Sequence, residues 1–204
     1  MSSPRARPLS GEGPVCLREP TDPAWAALAV ERFDEVLADH AHCEKKAAAN
    51  ALSILQAYPE VPGLPAQMAR LAREESAHLA RVLELLESRG LQLGRDRGDR
   101  YAQGLQDLVR RTQPERRLDR LLVAAVIEAR SCERLALLSE ALPPGPLRRF
   151  YAELAQSEDG HQALFFRLAA SAHGEEAARR RLDALLEAEA ALIRARPIHP
   201  TIHG

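Results

Sequence analysis

Apolar residues recur along this chain at the three- and four-residue spacing of amphipathic helices, and proline and glycine cut the pattern into long stretches. The first opens at Asp22-Pro23, a capping residue followed by proline at the first helical position. It carries Leu28, Phe33, Leu37, Ala41, Ala48, Ala51 and Leu55 on one stripe and stops at Tyr58-Pro59. Glu44 lies inside that stripe. Beyond Pro62-Gly63-Leu64-Pro65 a second helix runs to Gly90, with Met68, Leu71, Val82 and Leu85 inward and Glu75 and His78 in the same line. Residues 91–114 are too long for a tight turn, hold a short helix over Arg100 to Arg111, and read as a crossover. The third helix, from Pro114-Glu115 to Leu142, turns Leu121, Ala125, Glu128, Cys132, Leu135 and Leu138 inward. A Pro143-Pro144-Gly145-Pro146 turn follows. The fourth helix carries Leu147, Tyr151, Leu154, Glu158, His161, Phe165 and Leu168 and ends near His173-Gly174. A fifth, Glu175 to Arg194, is amphipathic and is expected to pack outside the bundle.

Composition agrees with an all-α chain. Aromatic content is 4%, alanine and leucine dominate, and β-branched residues are scarce. The expected organisation is a loose arm over residues 1–21, one helical domain over 22–196, and an irregular tail over 197–204. A net charge of −1 gives no sign of a polyanion partner, yet arginines cluster at Arg110-Arg111, Arg116-Arg117, Arg148-Arg149 and Arg179 to Arg181, a local pattern compatible with RNA binding. The two lysines, Lys45 and Lys46, are adjacent. Three cysteines without a Cys-x-x-Cys pair fit a reducing compartment. The first residues hold no apolar signal segment, and the longest apolar run, Leu121 to Ile127, is too short to span a bilayer. A soluble, cytoplasmic protein with no membrane partner is the expectation.

The chemistry concentrates in two short motifs, Glu75-Ser-Ala-His78 and Glu158-Asp-Gly-His161. Residues three apart share a helical face, so each Glu-x-x-His aims a carboxylate and an imidazole the same way. One such motif is near what composition alone supplies. The added signal is a further glutamate at a matched distance: Glu44 lies 31 residues before Glu75, and Glu128 lies 30 before Glu158. Matching Cys43-Glu44-Lys45 to Cys132-Glu133-Arg134 would nominate Glu133 instead. Glu133 points roughly 140° away from Glu128 around the helix, off the apolar stripe, and sits at the wrong height in its hairpin. The same reasoning prefers Glu44 over Asp39.

Four carboxylates on inward stripes cannot remain charged and unpaired, because each would cost several kcal/mol or more. Two divalent ions would neutralise them, with His78 and His161 adding one nitrogen each. Mixed oxygen and imidazole donors suit iron or manganese, and iron is the expected metal. Beside this set, Glu74 and Glu133 read as solvated charges or partners of the ligands, and His40 as a buried neutral histidine or a support for Glu44. Cys132 is a candidate pocket residue or a small core residue, and Tyr151 faces the site as a packing residue, a hydrogen-bond partner near the metals or an electron-transfer group. A glutamate from each of two helices with Glu-x-x-His from each of two others resembles the ferritin-like di-metal bundle, whose second and third helices run parallel across a long connection. That resemblance implies a four-helix bundle with a long crossover and an extra C-terminal helix.

The flanking residues narrow the resemblance. Asp39-His-Ala-His-Cys-Glu-Lys-Lys-Ala47, Leu71-Ala-Arg-Glu-Glu-Ser-Ala-His78, Ile127-Glu-Ala-Arg-Ser-Cys-Glu-Arg134, Phe150-Tyr151 and Ser157-Glu-Asp-Gly-His161 together resemble the tRNA 2-methylthio-isopentenyladenosine hydroxylases, the MiaE family, over residues 25–196. The resemblance implies a non-haem di-iron monooxygenase with two iron ions, O2 as co-substrate and an external electron donor such as a reductase or ferredoxin. It would hydroxylate the isopentenyl group of a modified adenosine next to the tRNA anticodon. In such a site Glu75 and Glu158 bridge the irons, while Glu44 with His78 and Glu128 with His161 complete the two ligand sets. A monomer or small homo-oligomer is expected. Asp159-Gly160 and the Ile202-His203-Gly204 ending depart from the family pattern, and Gly160 is expected to loosen its helix. The alternatives are a rubrerythrin-like peroxidase, a ferritin-like ferroxidase cage, and a metal-stabilised bundle without catalysis.

Overall fold

The structure, a computed structural model, describes residues 14–203. Seven helices and no strand are present among them: α1 (Ala24–Glu31), α2 (Phe33–Ala57), α3 (Leu64–Ser88), α4 (Arg100–Gln106), α5 (Glu115–Ala141), α6 (Pro146–His173) and α7 (Glu175–Arg194). Helices α2 and α3 form one hairpin and α5 and α6 another, and the two meet with α3 against α6. Helix α7 packs across α4, α5 and α6. This is the expected all-α bundle with its crossover and extra C-terminal helix. No helix among the described residues is long and apolar enough to cross a membrane.

The turns follow from residues that cannot continue a helix. Gly63 adopts φ 77°, a conformation that costs other residues strain, and Pro65 fits the first turn of α3. Pro146 opens α6 in the same way, and Gly174 at φ 86° separates α6 from α7.

Three elements differ from the expectation. The first long helix is split at Arg32, whose backbone (φ −109°, ψ 40°) leaves the helical region. The break lets α1 reach across to α5, where Trp25 is buried, donates Nε1–H to the Thr201 carbonyl at 3.1 Å, and lies under the Arg134 guanidinium. Periodicity could not show it, because both pieces keep an apolar stripe. The crossover helix ends at Gln106 rather than Arg111, since Arg110 turns away to bind Asp119 through its backbone and side chain. Gly160 does not loosen α6, which runs unbroken from Pro146 to His173.

Both ends of the described chain are irregular but held. Of the expected arm, residues 1–13 lie outside the described residues, whereas Val15 joins the core and Thr21 is buried against Glu133. In the tail, Ile202 and His203 are buried.

The apolar interior falls into two clusters. One gathers Ala51, Ile54, Met68, Leu121 and Phe165 with the apolar face of α7. The other gathers Trp25, Leu37, Val82, Leu138 and Tyr151. By position along the helices, the sequence-nominated glutamates and histidines fall between them, as a polar layer inside an apolar bundle.

Candidate metal centre

Each hairpin delivers half of the layer. Helix α2 supplies Glu44, α3 Glu75 and His78, α5 Glu128, and α6 Glu158 and His161; all six are buried. They form two overlapping groups whose ligand atoms lie within 4.8 Å of one another: Glu44, Glu75, His78 and Glu158, and Glu75, Glu128, Glu158 and His161. Glu75 and Glu158 belong to both. His78 Nδ1 lies 3.1 Å from Glu75 Oε2 and 3.6 Å from Glu44 Oε2. His161 Nδ1 lies 2.9 Å from Glu75 Oε1 and 3.3 Å from Glu158 Oε2. The two imidazole centroids are 6.0 Å apart.

The electrostatics are those of a site that demands cations. Burial and then the neighbouring Glu158 push the Glu128 carboxyl well above its usual range, and the same causes raise Glu75. Glu44 moves the other way. Burial opposes its charge, but hydrogen bonds with His40 and His78 outweigh this and hold it well below the usual range. Burial also opposes charge on the imidazoles, yet Glu44 and Glu75 raise His78 to about 10, and Glu158 and Glu75 raise His161 to about 12. Protons on the two histidines thus supply the positive charge that the carboxylates require. Among the described residues, His40, His78 and His161 are the basic groups within ion-pairing distance of these four carboxylates. A buried oxygen-rich set with one imidazole per group fits two divalent ions of the iron or manganese type.

The flanking residues sort into supports. His40, buried, places Nε2 2.7 Å from Glu44 Oε1. Glu74, half exposed, lies 3.4 Å from His161 Nε2 and accepts from Ser157 Oγ. Glu133 faces away from the centre, accepting from Thr21 and pairing with Arg130. Tyr151 packs edge-on against Phe33 and beside the His40 ring. Cys132 donates to the Ala155 carbonyl and is absent from the cavity lining, so the pocket cysteine is Cys43 on α2.

The Glu128-to-Arg134 motif has a structural meaning that periodicity did not convey. Arg130 is fully buried and pairs with Glu189 of α7 at 2.6 Å. Ser131 Oγ lies 2.8 Å from His203 Nε2, and Arg134 donates to the carbonyls of Thr201 and Ile202. One helical segment therefore supplies the candidate ligand Glu128 and ties down α7, the N-terminal segment and the tail. Lys45 and Lys46 both bind Asp96, at 3.1 and 3.2 Å, and clamp the crossover loop to α2.

Between α2 and α5 lies a cavity of about 140 Å³ that the crossover and tail roof over. Glu44, Glu128 and Glu158 border it at the centre, Ala47, Ala124, Ile127, Leu135 and Ile202 give apolar walls, and Asn50 and Gln106 lie along it. Among the residues that line the cavity, those of α4 and the tail were not nominated from the sequence. His203 was noted only as part of an unusual ending, because its setting comes from Asp99, 2.6 Å from Nδ1 and 104 residues away in sequence.

The family model for tRNA-(MS[2]IO[6]A)-hydroxylase (MiaE) matches residues 13–204. The chain belongs to the MiaE family. Within it, the chain is 44% identical over 158 residues to the tRNA 2-(methylsulfanyl)-N(6)-isopentenyladenosine(37) hydroxylase of Pseudomonas putida, covering 78% of this chain and 76% of that protein. It is 28% identical over 206 residues to the protein of the same name from Salmonella typhimurium, covering 77% and 76%. The fold is similar, at a TM-score of 0.86 and 38% identity, to a solved structure described as "Protein 43 with aldehyde deformylating oxygenase activity from Synechococcus", covering 92% of this chain and 95% of that one. Membership of MiaE makes the chain an enzyme of the tRNA hydroxylase kind, on a ferritin-like scaffold.

Proposed function

We propose that this chain hydroxylates the isopentenyl side chain of isopentenyladenosine, with or without its 2-methylthio group, beside the anticodon of tRNA. Two irons would be held by Glu44 and His78, by Glu128 and His161, and by Glu75 and Glu158 in common. The observation that carries this reading is the apolar cavity bordered by Glu44, Glu128 and Glu158. A short branched hydrocarbon fits such walls, whereas storage of a hydrated ion gains nothing from them.

When bound, the iron pair supplies the O2 chemistry that places one oxygen atom in a C–H bond, with two electrons and two protons taking the other to water. The protein's own contribution is placement. Ala47, Ala124, Ile127, Leu135 and Ile202 exclude water and hold the alkyl group against the carboxylate layer. His40 holds Glu44, and Ser131 and Asp99 hold His203 where the tail closes the cavity. The electrons come from an external reductase or ferredoxin-type donor. The protein works in the cytoplasm, where its tRNA is found, as a monomer or small homo-oligomer.

The test is mass spectrometry of tRNA nucleosides from a strain lacking this protein and from the complemented strain. Loss of the hydroxylated nucleoside, restored by the parent gene and not by Glu75→Ala, is expected. Unchanged nucleosides would move the substrate to a small molecule or peroxide.

A further inference from the structure

We infer that the arginines around the junction of α4 and α5 form the phosphate-binding surface that carries the tRNA backbone past the cavity. The inference rests on the tRNA reading above and adds where the RNA lies. Arg110, Arg111, Arg116 and Arg120 come together around one surface recess completed by Ser53 of α2, and no carboxylate lines it among the described residues. The Arg110-Arg111 cluster and Arg116 of a second one meet here, beside Arg120, where Arg110 turns back onto Asp119.

Most other clustered arginines are occupied. Arg179 and Arg180 pair with Glu175 and Glu176, and Arg148 donates to the carbonyls of Glu140 and Leu142. In the recess Arg110 shares the buried Asp119 with Arg181, so that pairing leaves excess positive charge. Arg120 rests on the Tyr58 ring and donates to Ser53 Oγ, which holds its guanidinium in place. The exposed Arg111 and Arg116 have no ion-pair partner among the described residues.

Position selects the partner. Gln106 borders both this recess and the cavity against the carboxylate layer. A base buried in the cavity therefore leaves its own strand's phosphates beside the arginines. Extruding one nucleotide into a pocket while cationic side chains hold the flanking backbone is how proteins reach a base in folded nucleic acid. An acidic electron-donor protein would also suit arginines, but it needs no shared border with the substrate cavity.

The test uses the iron-loaded full chain, the Arg111→Glu/Arg116→Glu variant, and Arg179→Glu/Arg180→Glu as a control of equal charge change on α7. Binding of an anticodon stem-loop carrying isopentenyladenosine is measured over a salt series, with iron content and helicity verifying the fold. The recess variant is expected to bind roughly tenfold or more weakly, with a log–log salt slope flatter by about 1.5, as two lost phosphate contacts imply. The control is expected to keep the parent slope. Unchanged binding, an equal loss in the control, or a defect confined to reduction by the donor would overturn the inference. Failure of the parent protein to hydroxylate the stem-loop would instead overturn the tRNA reading.

Discussion

His40 Nε2 stands 2.7 Å from Glu44 Oε1, one helical turn apart on α2, with both side chains buried. A carboxylate with two oxygens can rotate, and this contact commits one oxygen of Glu44, a proposed ligand, so that the other faces His78. His40→Ala is expected to weaken iron binding at the Glu44 side by roughly 10- to 100-fold while leaving the helical content unchanged. Anaerobic Fe(II) titration, read beside circular dichroism, checks it; undiminished affinity would remove His40 from the site.

Glu128 carries the conflict of the metal-free centre. Its folded carboxyl titrates above its ordinary 4.5 because of burial and Glu158, so it costs stability once the pH exceeds that value, and the cost grows until the raised folded value is passed. Metal-free Glu128→Gln is therefore expected to melt higher than the metal-free parent at pH 7. Added Fe(II) should reverse the order, since the parent alone keeps all six proposed ligands. Thermal melts with and without metal would show both signs or refute the assignment.

Asp119 is buried under Arg110 and Arg181, and although burial opposes its charge, these bonds lower it from 3.8 to about 2. A depressed acid contributes stability above its unfolded value and loses it as the pH falls through the folded one. The contribution is about 2 kcal/mol. Asp119→Asn should be less stable by that order at neutral pH, with the gap closing between about pH 4 and pH 2. Urea midpoints across this range measure it, and a gap independent of pH would contradict it.

Gly160 is exposed, and a Cβ there would meet nothing within 4 Å. Gly160→Ala should stabilise the protein by roughly 0.5–1 kcal/mol, through helix propensity and a less flexible unfolded chain. A melting temperature that stays the same or falls would show that the glycine has a packing role.

The all-α fold, the four principal helices and the six inward glutamates and histidines were legible in the sequence. Helical period and proline-glycine breaks act locally, and Glu44, Glu75, Glu128 and Glu158 each lie on an apolar stripe, where an unpaired charge is costly. Matched spacing even set their common level in the two hairpins. The break at Arg32 left no trace in the pattern, because α1 turns toward α5 for the sake of Trp25 and its contacts with Arg134 and Thr201.

Only the tertiary structure decided what surrounds the carboxylates. The roof of the cavity is made by α4 and the tail, where His203 meets Asp99, Ser131 and Cys43 across long sequence separations. The arginines at the α4–α5 junction share a recess with Ser53, where Asp119 holds Arg110 and Ser53 accepts from Arg120. Periodicity tells which face a residue takes on its own helix. Which distant residues it meets depends on how the helices, the crossover and the tail pack, and a local pattern carries no record of that.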